Sequence, residues 1–448
     1  MKNFFSKLFR IYPEEVGLVF VLGFVLLGNQ VARQITEIAA LSGLISGEGG
    51  SNDVLVVWFV DYIIIFVVGA LQSLVVDRVE RPKLIKRVVL GMALLFVGMR
   101  ALFFLNLPSI ITYGSLYILA EQQFLLFPLI FWVLANDIFE ASQARRLFPV
   151  IASWNFIGVL IGTGVSAMSP SIFERLSISS ANILLLNVLI YLVCFVVLYF
   201  GLRNIRVRQA SQRAEESLTK SMSEGVGFVK EVPSFKFLAL AWFLMIMCDV
   251  IVEFRFINVT GETFVTAESY QRFYSLYRLI ITVVAIVIQT AVTSRLIERF
   301  SLKNTFFIYP LVMLVGVLAV LFFPGVWASV FSLGFLKLTR DTVDESARKS
   351  FQSLIPEERR GRVSTFMDSY LPSFGTVTAC IIMGTVIMLG IRTGMESAHL
   401  IYLGAAGIGA IIGVWAIFKM RSVYDSSLLN WRMKRRQRGA SLLDKLEF

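Results

Sequence analysis

The stretch VGLVFVLGFVLLGNQVARQITEIAALSGL, residues 16–44, decides the fold. It is longer than the roughly 20 apolar residues that cross a bilayer. Its only charged side chains are Arg33 and Glu37. No small-residue cleavage site is evident and the apolar run continues past Asn29, so the stretch predicts a retained transmembrane helix, not a removed signal. Asn29, Arg33 and Glu37 recur at i, i+4 and i+8 and therefore share one helical face. Arg33 and Glu37 are spaced to pair, which lowers the cost of burying them. Ionisable groups inside a span mark pathways by default. Two readings stay open: a charged wall of a central cavity, or an intrahelical brace that never meets solute.

The chain repeats this pattern. Its 448 residues are 56% hydrophobic and 16% charged, with a mean hydropathy of +0.74. Soluble domains run near 45–50% apolar and 25% charged, so the class is a polytopic membrane protein. Further spans are predicted near residues 54–76, 84–105, 111–134, 150–167, 183–201, 235–257, 273–294, 306–323, 327–338, 364–390 and 400–419. The net charge of +11 is distributed by topology. Lys and Arg crowd alternate loops, while 47–53, 106–110, 258–269 and 324–326 are nearly bare; Arg175 and Arg392 are the exceptions. The positive-inside bias places the basic loops and both termini in the cytoplasm. Those loops suit anionic lipid, and the basic balance does not imply nucleic acid.

Residues 1–203 and 233–419 form two predicted six-helix halves, joined by a polar linker over 204–232 and followed by a basic tail over 420–448. The tail suits an amphipathic helix on the membrane, and a cytosolic regulatory module is a candidate partner there. The halves echo each other. Asp77-Arg78 after the second span matches Glu298-Arg299 after the eighth, and Arg145-Arg146-Leu147-Phe148 matches Arg348-Lys349-Ser350-Phe351. Two halves related by an axis along the membrane normal form the major facilitator architecture, an all-α twelve-helix bundle. The expected cytoplasmic gate joins Asp77, Arg78, Asp137, Glu140, Arg145 and Arg146 to Glu298, Arg299, Arg340, Asp344 and Arg348.

Other spans also carry charge. Asp249 and Glu253 share a face of the seventh span, beside Arg255, and two close carboxylates suit proton or cation coupling. Tyr270, Tyr274, Tyr277 and Arg278 lie on one broad face of the eighth, which suits a planar anionic ligand or an interfacial aromatic belt. Glu121-Gln122-Gln123 cannot all face lipid, and Asp61 and Asp368 pose the same problem. Lys337, Arg340, Asp341 and Asp344 close the tenth span. Cys194, Cys248 and Cys380 read as buried hydrophobes, and no spacing implies a metal. No P-loop or soluble-enzyme motif occurs, so no cofactor and no enzyme activity are predicted. Asn258-Val259-Thr260 is a glycosylation sequon in a predicted outer loop.

The segment Phe131-Trp132-Val133-Leu134-Ala135-Asn136-Asp137-Ile138-Phe139-Glu140-Ala141-Ser142-Gln143-Ala144-Arg145-Arg146-Leu147-Phe148 resembles the most characteristic segment of the nucleotide (ATP/ADP) carrier family. That family comprises energy-parasite and plastid translocases and their bacterial relatives. Leu119-Ala120-Glu121, Val252-Glu253 and residues 357–368 fit the same pattern. The resemblance implies a major facilitator fold, exchange of nucleotides or related anions, and a bacterial inner membrane location. It places Arg33, Glu121 and Glu253 at charged family positions. It also implies a Lys shortly after the first-span Arg and a Gly-Lys pair early in span eleven. Here Ile35, Thr36 and the uncharged 371–375 stand instead. Fewer fixed cations hold a triphosphate less firmly. The expected function is secondary transport of an anionic, nucleotide-like solute. Arg33, Glu37 and Arg278 would handle its charge, Tyr274, Tyr277 and Trp154 would stack a base, and Glu121, Asp249 and Glu253 would tune charge or couple a proton. A proton-coupled permease for another metabolite and a non-transporting membrane sensor are the rivals.

Overall fold

The computed structural model describes residues 12–76, 81–177, 179–203, 226–352, 355, 363–364, 366–394 and 397–443. Hydrocarbon leaves every backbone polar group to be satisfied within the chain, and helices do this segment by segment. The described residues are accordingly helical and contain no strand. Twelve long helices follow in order: α1 Val16–Ile45, α2 Ser51–Val76, α3 Arg81–Leu102, α4 Ser109–Ile138, α5 Ala141–Leu176, α6 Ile183–Gly201, α7 Pro233–Thr263, α8 Ala267–Ala291, α9 Ile308–Phe322, α10 Val326–Leu338, α11 Leu371–Thr393 and α12 Ala398–Leu443. Large apolar side chains such as Leu94, Trp327, Phe331 and Ile408 stand exposed, as a lipid-facing surface requires.

Four boundaries depart from the sequence reading, each for a physical reason. Helix α5 starts at Ala141, not near residue 150, because Glu140 and Gln143 form a capping box that carries the helix across Pro149. The loop predicted at 258–269 is largely helix, since α7 runs to Thr263 and α8 starts at Ala267. Asn258 is therefore helical and Thr260 fully buried, so the sequon is not an open-loop acceptor. Helix α10 does not end at Leu338. It passes through a π-helical turn, Thr339–Asp344, into Glu345–Gln352, because its charged side chains find partners. Finally, α12 continues through the tail to Leu443, instead of leaving a separate surface helix. The predicted linker lies outside the described residues over 204–225.

Contacts divide the chain into two units. The first holds Met1–Ala214 and Thr260–Thr282. In it α1 packs on α4, α5 and α6, α2 on α4, and α3 on α6. A buried polar clamp fixes α1. The Tyr191 hydroxyl donates to Asn29 Oδ1 at 2.7 Å and accepts from Gln123 Nε2 at 2.6 Å. Asn187 Nδ2 donates to Thr36 Oγ1 at 2.9 Å and to the Ala32 carbonyl at 3.2 Å. Such bonds tie helices together where lipid offers no hydrophobic driving force. The second unit holds Glu215–Val259 and Val283–Phe448. There α9 packs on α10 and α12, and α11 on α12. Helix α7 joins α12 through Cys248 Sγ, which donates to the Ala406 carbonyl at 3.1 Å.

Helices α1 and α5 approach backbone to backbone at Gly158 and Gly162, a four-residue small-residue spacing. A Cβ at Gly158 would fall 2.8 Å from the Leu27 carbonyl oxygen, and one at Gly162 would fall 2.9 Å from that of Val31. Both obstacles are backbone, so they cannot swing aside. Gly162→Leu is expected to cost about 3 kcal/mol or more, the upper range of overpacking. Thermal unfolding in detergent checks this; a melting temperature equal to that of the parent would refute the close approach.

Candidate functional site

Each unit carries its own cluster of charge. In the first, Arg33 and Glu37 lie one turn apart on α1 and pair at 3.3 Å. Arg278, from α8, donates to the other Glu37 oxygen, Oε1. Arg33 Nη2 also reaches Glu121 Oε1 on α4 at 3.7 Å. The Arg33 guanidinium lies 4.3 Å from the Phe124 ring centroid, and that of Arg278 lies 5.7 Å from Tyr274. Tyr274 is also the middle of an aromatic ladder on α8. Its ring stacks on Tyr270 at 5.8 Å and Tyr277 at 6.4 Å. Two guanidiniums, two carboxylates and a row of π faces thus meet in one place. The sequence grouped Arg33, Glu37, Glu121, Tyr274, Tyr277 and Arg278 by helix; the fold brings them together. Trp154 lies elsewhere. It packs edge-on against Phe20 of α1 at 5.7 Å, about 20 Å along that helix from Arg33 at 1.5 Å per residue.

In the second unit Asp249 and Glu253 of α7 face the charged end of α10. Lys337 Nζ donates to Glu253 Oε2 at 2.7 Å and to Asp249 Oδ2 at 3.3 Å. Arg340, on the first turn of the π-helical segment, donates to the same Asp249 oxygen and to Asp341 Oδ1 at 2.7 Å. The cations that neutralise these carboxylates are Lys337 and Arg340. A π turn inserts one residue per loop and is frequent at functional sites. Here it lets Arg340 and Asp341 project from one short stretch.

The predicted gate residues fall into small networks within each unit. Arg81 of α3 donates to Asp137 at the end of α4. Arg146 of α5 donates to both oxygens of Glu15, the residue before α1, while Gln143 Nε2 adds a bond to Glu15 at 3.0 Å. The Glu140 main-chain N–H donates to Gln143 Oε1 at 3.1 Å. Arg348 donates to Asp344 Oδ2 at 3.1 Å and to Asp368 Oδ1 at 3.0 Å, and lies 3.6 Å above the Trp242 ring. Glu298 and Arg299 stand exposed on the helix Thr293–Phe300. Arg145 lies in the second turn of α5, and Asp77 and Arg78 lie outside the described residues. The Glu15 latch was missed by sequence reasoning, because Glu15 and Arg146 are 131 positions apart.

Glu15 sits outside the spans, and its protonation has a sign. Burial pushes its carboxyl up, but hydrogen bonds from Arg146, Tyr12 and Gln143 outweigh that and hold it below the ordinary glutamate value of 4.5. A lowered folded-state value means the latch contributes in full above pH 4.5 and is lost as pH falls through the folded value. Glu15→Gln should therefore melt earlier than the parent at pH 7, and the gap should close on acidification below about pH 4.5. Paired melting curves from pH 7 to pH 3 test this; a gap constant with pH would sink it.

These clusters sit on a fold seen before. The chain resembles the nucleoside transporter NupG with a TM-score of 0.58 and 15% identity, covering 90% of this chain and 98% of that one. It resembles an auto-inhibited peptide transporter of the POT family at 0.59 and 12%, covering 88% and 96%. A bacterial homolog of the human lysosomal transporter Spinster aligns at 0.53 and 11%, covering 94% and 98%. At these identities the likeness shows the major facilitator fold. No curated protein matches the sequence. Residues 83–337, more than half of the chain, match the TLC ATP/ADP transporter family.

The chain belongs to the TLC ATP/ADP transporter family. The resemblance carried by residues 131–148 is thus borne out, and the matched region contains that segment. As a TLC transporter it is an integral, multi-pass membrane protein and a secondary transporter, and its family and fold are those of transporters for small solutes. Among the described residues, no group of three or more His, Cys, Asp or Glu is placed to hold a metal.

Proposed function

We propose that this TLC transporter moves an anionic, nucleotide-like solute by alternating access, with the α1, α4 and α8 cluster as a binding element. The observation that carries the reading is the meeting of Arg33, Arg278 and the Tyr270–Tyr274–Tyr277 ladder in one unit. Guanidiniums take phosphate oxygens through paired N–H donors, and tyrosine faces stack a base. Glu37 and Glu121 already neutralise the two arginines. An incoming phosphoryl group must compete with these carboxylates, so binding and rearrangement of the cluster are coupled. The loop charges support both termini in the cytoplasm, and the family resemblance supports a bacterial inner membrane. Asp137, Glu140, Arg145 and Arg146, with Arg340, Asp344 and Arg348, are the proposed gate residues. Continuity of α12 into the tail lends no support to a separate regulatory module.

A second reading, a proton-coupled permease, draws on two carboxylates. Asp61 is 1% exposed and has no ion pair among the described residues, and Asp249 Oδ1 is buried without a hydrogen bond. Uptake into proteoliposomes separates the two. Labelled ATP, ADP, nucleosides and organic anions are offered with and without internal solute, with and without a pH gradient. Saturable nucleotide exchange lost in Arg278→Ala supports the nucleotide reading. Uptake of a neutral solute driven by the pH gradient and indifferent to Arg33 and Arg278 would transfer the assignment to the permease.

A further inference from the structure

Among the described residues two arginines are buried, Arg348 at 7% exposure and Arg255 at 8%. Their surroundings differ completely. Arg348 has two carboxylates and a tryptophan face. Arg255, on α7, has no ion pair among the described residues, and its buried Nε has no hydrogen-bond partner among them. Its neighbour Glu253 does not compensate it. Two residues along a helix is about 200° of rotation, so the side chains leave α7 on opposite sides. Glu253 is spent on Lys337. Arg255 lies eight residues before the end of α7 at Thr263, about 12 Å in from that end.

A guanidinium 8% exposed, with its Nε buried and unbonded and no anion among the described residues, is costly, because little water reaches it and no counter-ion replaces its lost hydration. A polar group left so inside a membrane helix marks a functional position by default. The contrast with the other cations of the spans, taken unit by unit, sharpens the point. Arg33, Arg278, Lys337 and Arg340 all meet carboxylates. An anion reaching any of them must displace a carboxylate, whereas one reaching Arg255 gains a buried charge-assisted bond without such competition. We propose that Arg255 is an oxyanion-binding residue that receives a phosphate-type group of the transported solute. The inference rests on the anionic-solute reading given above and adds to it a residue of the second unit that holds negative charge. The planar fork of arginine fits a tetrahedral oxyanion through two donors, which a lysine does not reproduce.

The test uses the full-length protein in phosphatidylcholine nanodiscs and reads thermal unfolding against added pyrophosphate, ATP or adenosine. It is repeated in discs containing phosphatidylglycerol. Pyrophosphate and ATP should raise the melting temperature saturably, and adenosine should not. Arg255→Gln should weaken the apparent affinity for pyrophosphate about ten- to hundredfold, the range of a lost charge-assisted contact. Arg255→Lys should fall between, and Arg392→Gln, which removes an exposed arginine, should bind as the parent does. Without ligand, Arg255→Gln should melt no lower than the parent, since it removes an uncompensated buried charge; a purely structural arginine would give the opposite sign. Parent-like pyrophosphate affinity in Arg255→Gln would overturn the proposal. So would the absence of a response to any phosphate-bearing probe, or an Arg255-dependent shift produced by phosphatidylglycerol alone. Arg255-dependent pyrophosphate binding with no nucleotide flux in liposomes would refute the nucleotide reading and leave this one standing.

Discussion

Asp249→Leu should destabilise the second unit by about 3–5 kcal/mol, the cost of leaving buried charge uncompensated. Asp249 holds both Lys337 and Arg340 through one oxygen, and its side chain is only 4% exposed. Without it, among the described residues, Lys337 keeps Glu253 and Arg340 keeps the half-exposed Asp341. Adding Lys337→Met should recover part of the loss, because replacing a buried pair by apolar groups is often near neutral. Unfolding in mixed micelles, run as a double-mutant cycle, gives the coupling. Strictly additive effects would show that the contacts of Lys337 and Asp249 carry no energy. The partly exposed Glu253 should matter less for stability, so Glu253→Gln offers a way to probe transport on an intact fold.

Arg278→Ala is expected to cut nucleotide uptake about ten- to hundredfold, the equivalent of roughly 1.5–3 kcal/mol for a charged hydrogen-bonded contact. It also strands Glu37 with Arg33 as its partner. The reversal Glu37→Arg with Arg278→Glu keeps the pair and should restore most of the melting temperature. Uptake should stay low, because the cation then stands on α1 and the aromatic ladder of α8 faces a carboxylate. Initial rates and melting curves on the same preparations separate the two roles. If the reversal restores uptake as well as stability, the pair is a brace and the binding role fails.

The sequence made the class, the span count and the charged faces legible because hydropathy and helical periodicity are local properties. Arg33 and Glu37 pair at one helical turn and could be read directly. Residues 131–148 identified the family for the same reason, being contiguous. Contacts between distant helices were another matter. Glu15 with Arg146, Arg278 with Glu37, and Lys337 with Asp249 are each separated by far more chain than periodicity spans. The start of α5 lay outside the apolar run, since Pro149 is tolerated within a capped helix that begins at Ala141. Charges misled the boundaries of α10, where pairing lets Lys337 and Arg340 sit inside a continuous helical run. Nothing in the sequence separates Arg255 from Arg278, since both are cations in a span. Only the fold shows that Arg278 has a carboxylate partner and that Arg255 has none among the described residues.

The glycine contact between α1 and α5 has a mechanical side. Leu27 and Val31 meet Gly158 and Gly162 backbone to backbone, and Glu15 pins the same two helices where Arg146 grips it. Sliding α5 by a turn would drive side chains at neighbouring positions into those carbonyls, so the two helices behave as one stiff strut. Glu15 and Arg33 lie 18 residues apart on it, about 27 Å at 1.5 Å per residue. A strut does not absorb displacement along its length. Displacement at the Glu15 latch is therefore directed along this strut toward the Arg33–Glu37 pair, not dissipated between the two helices.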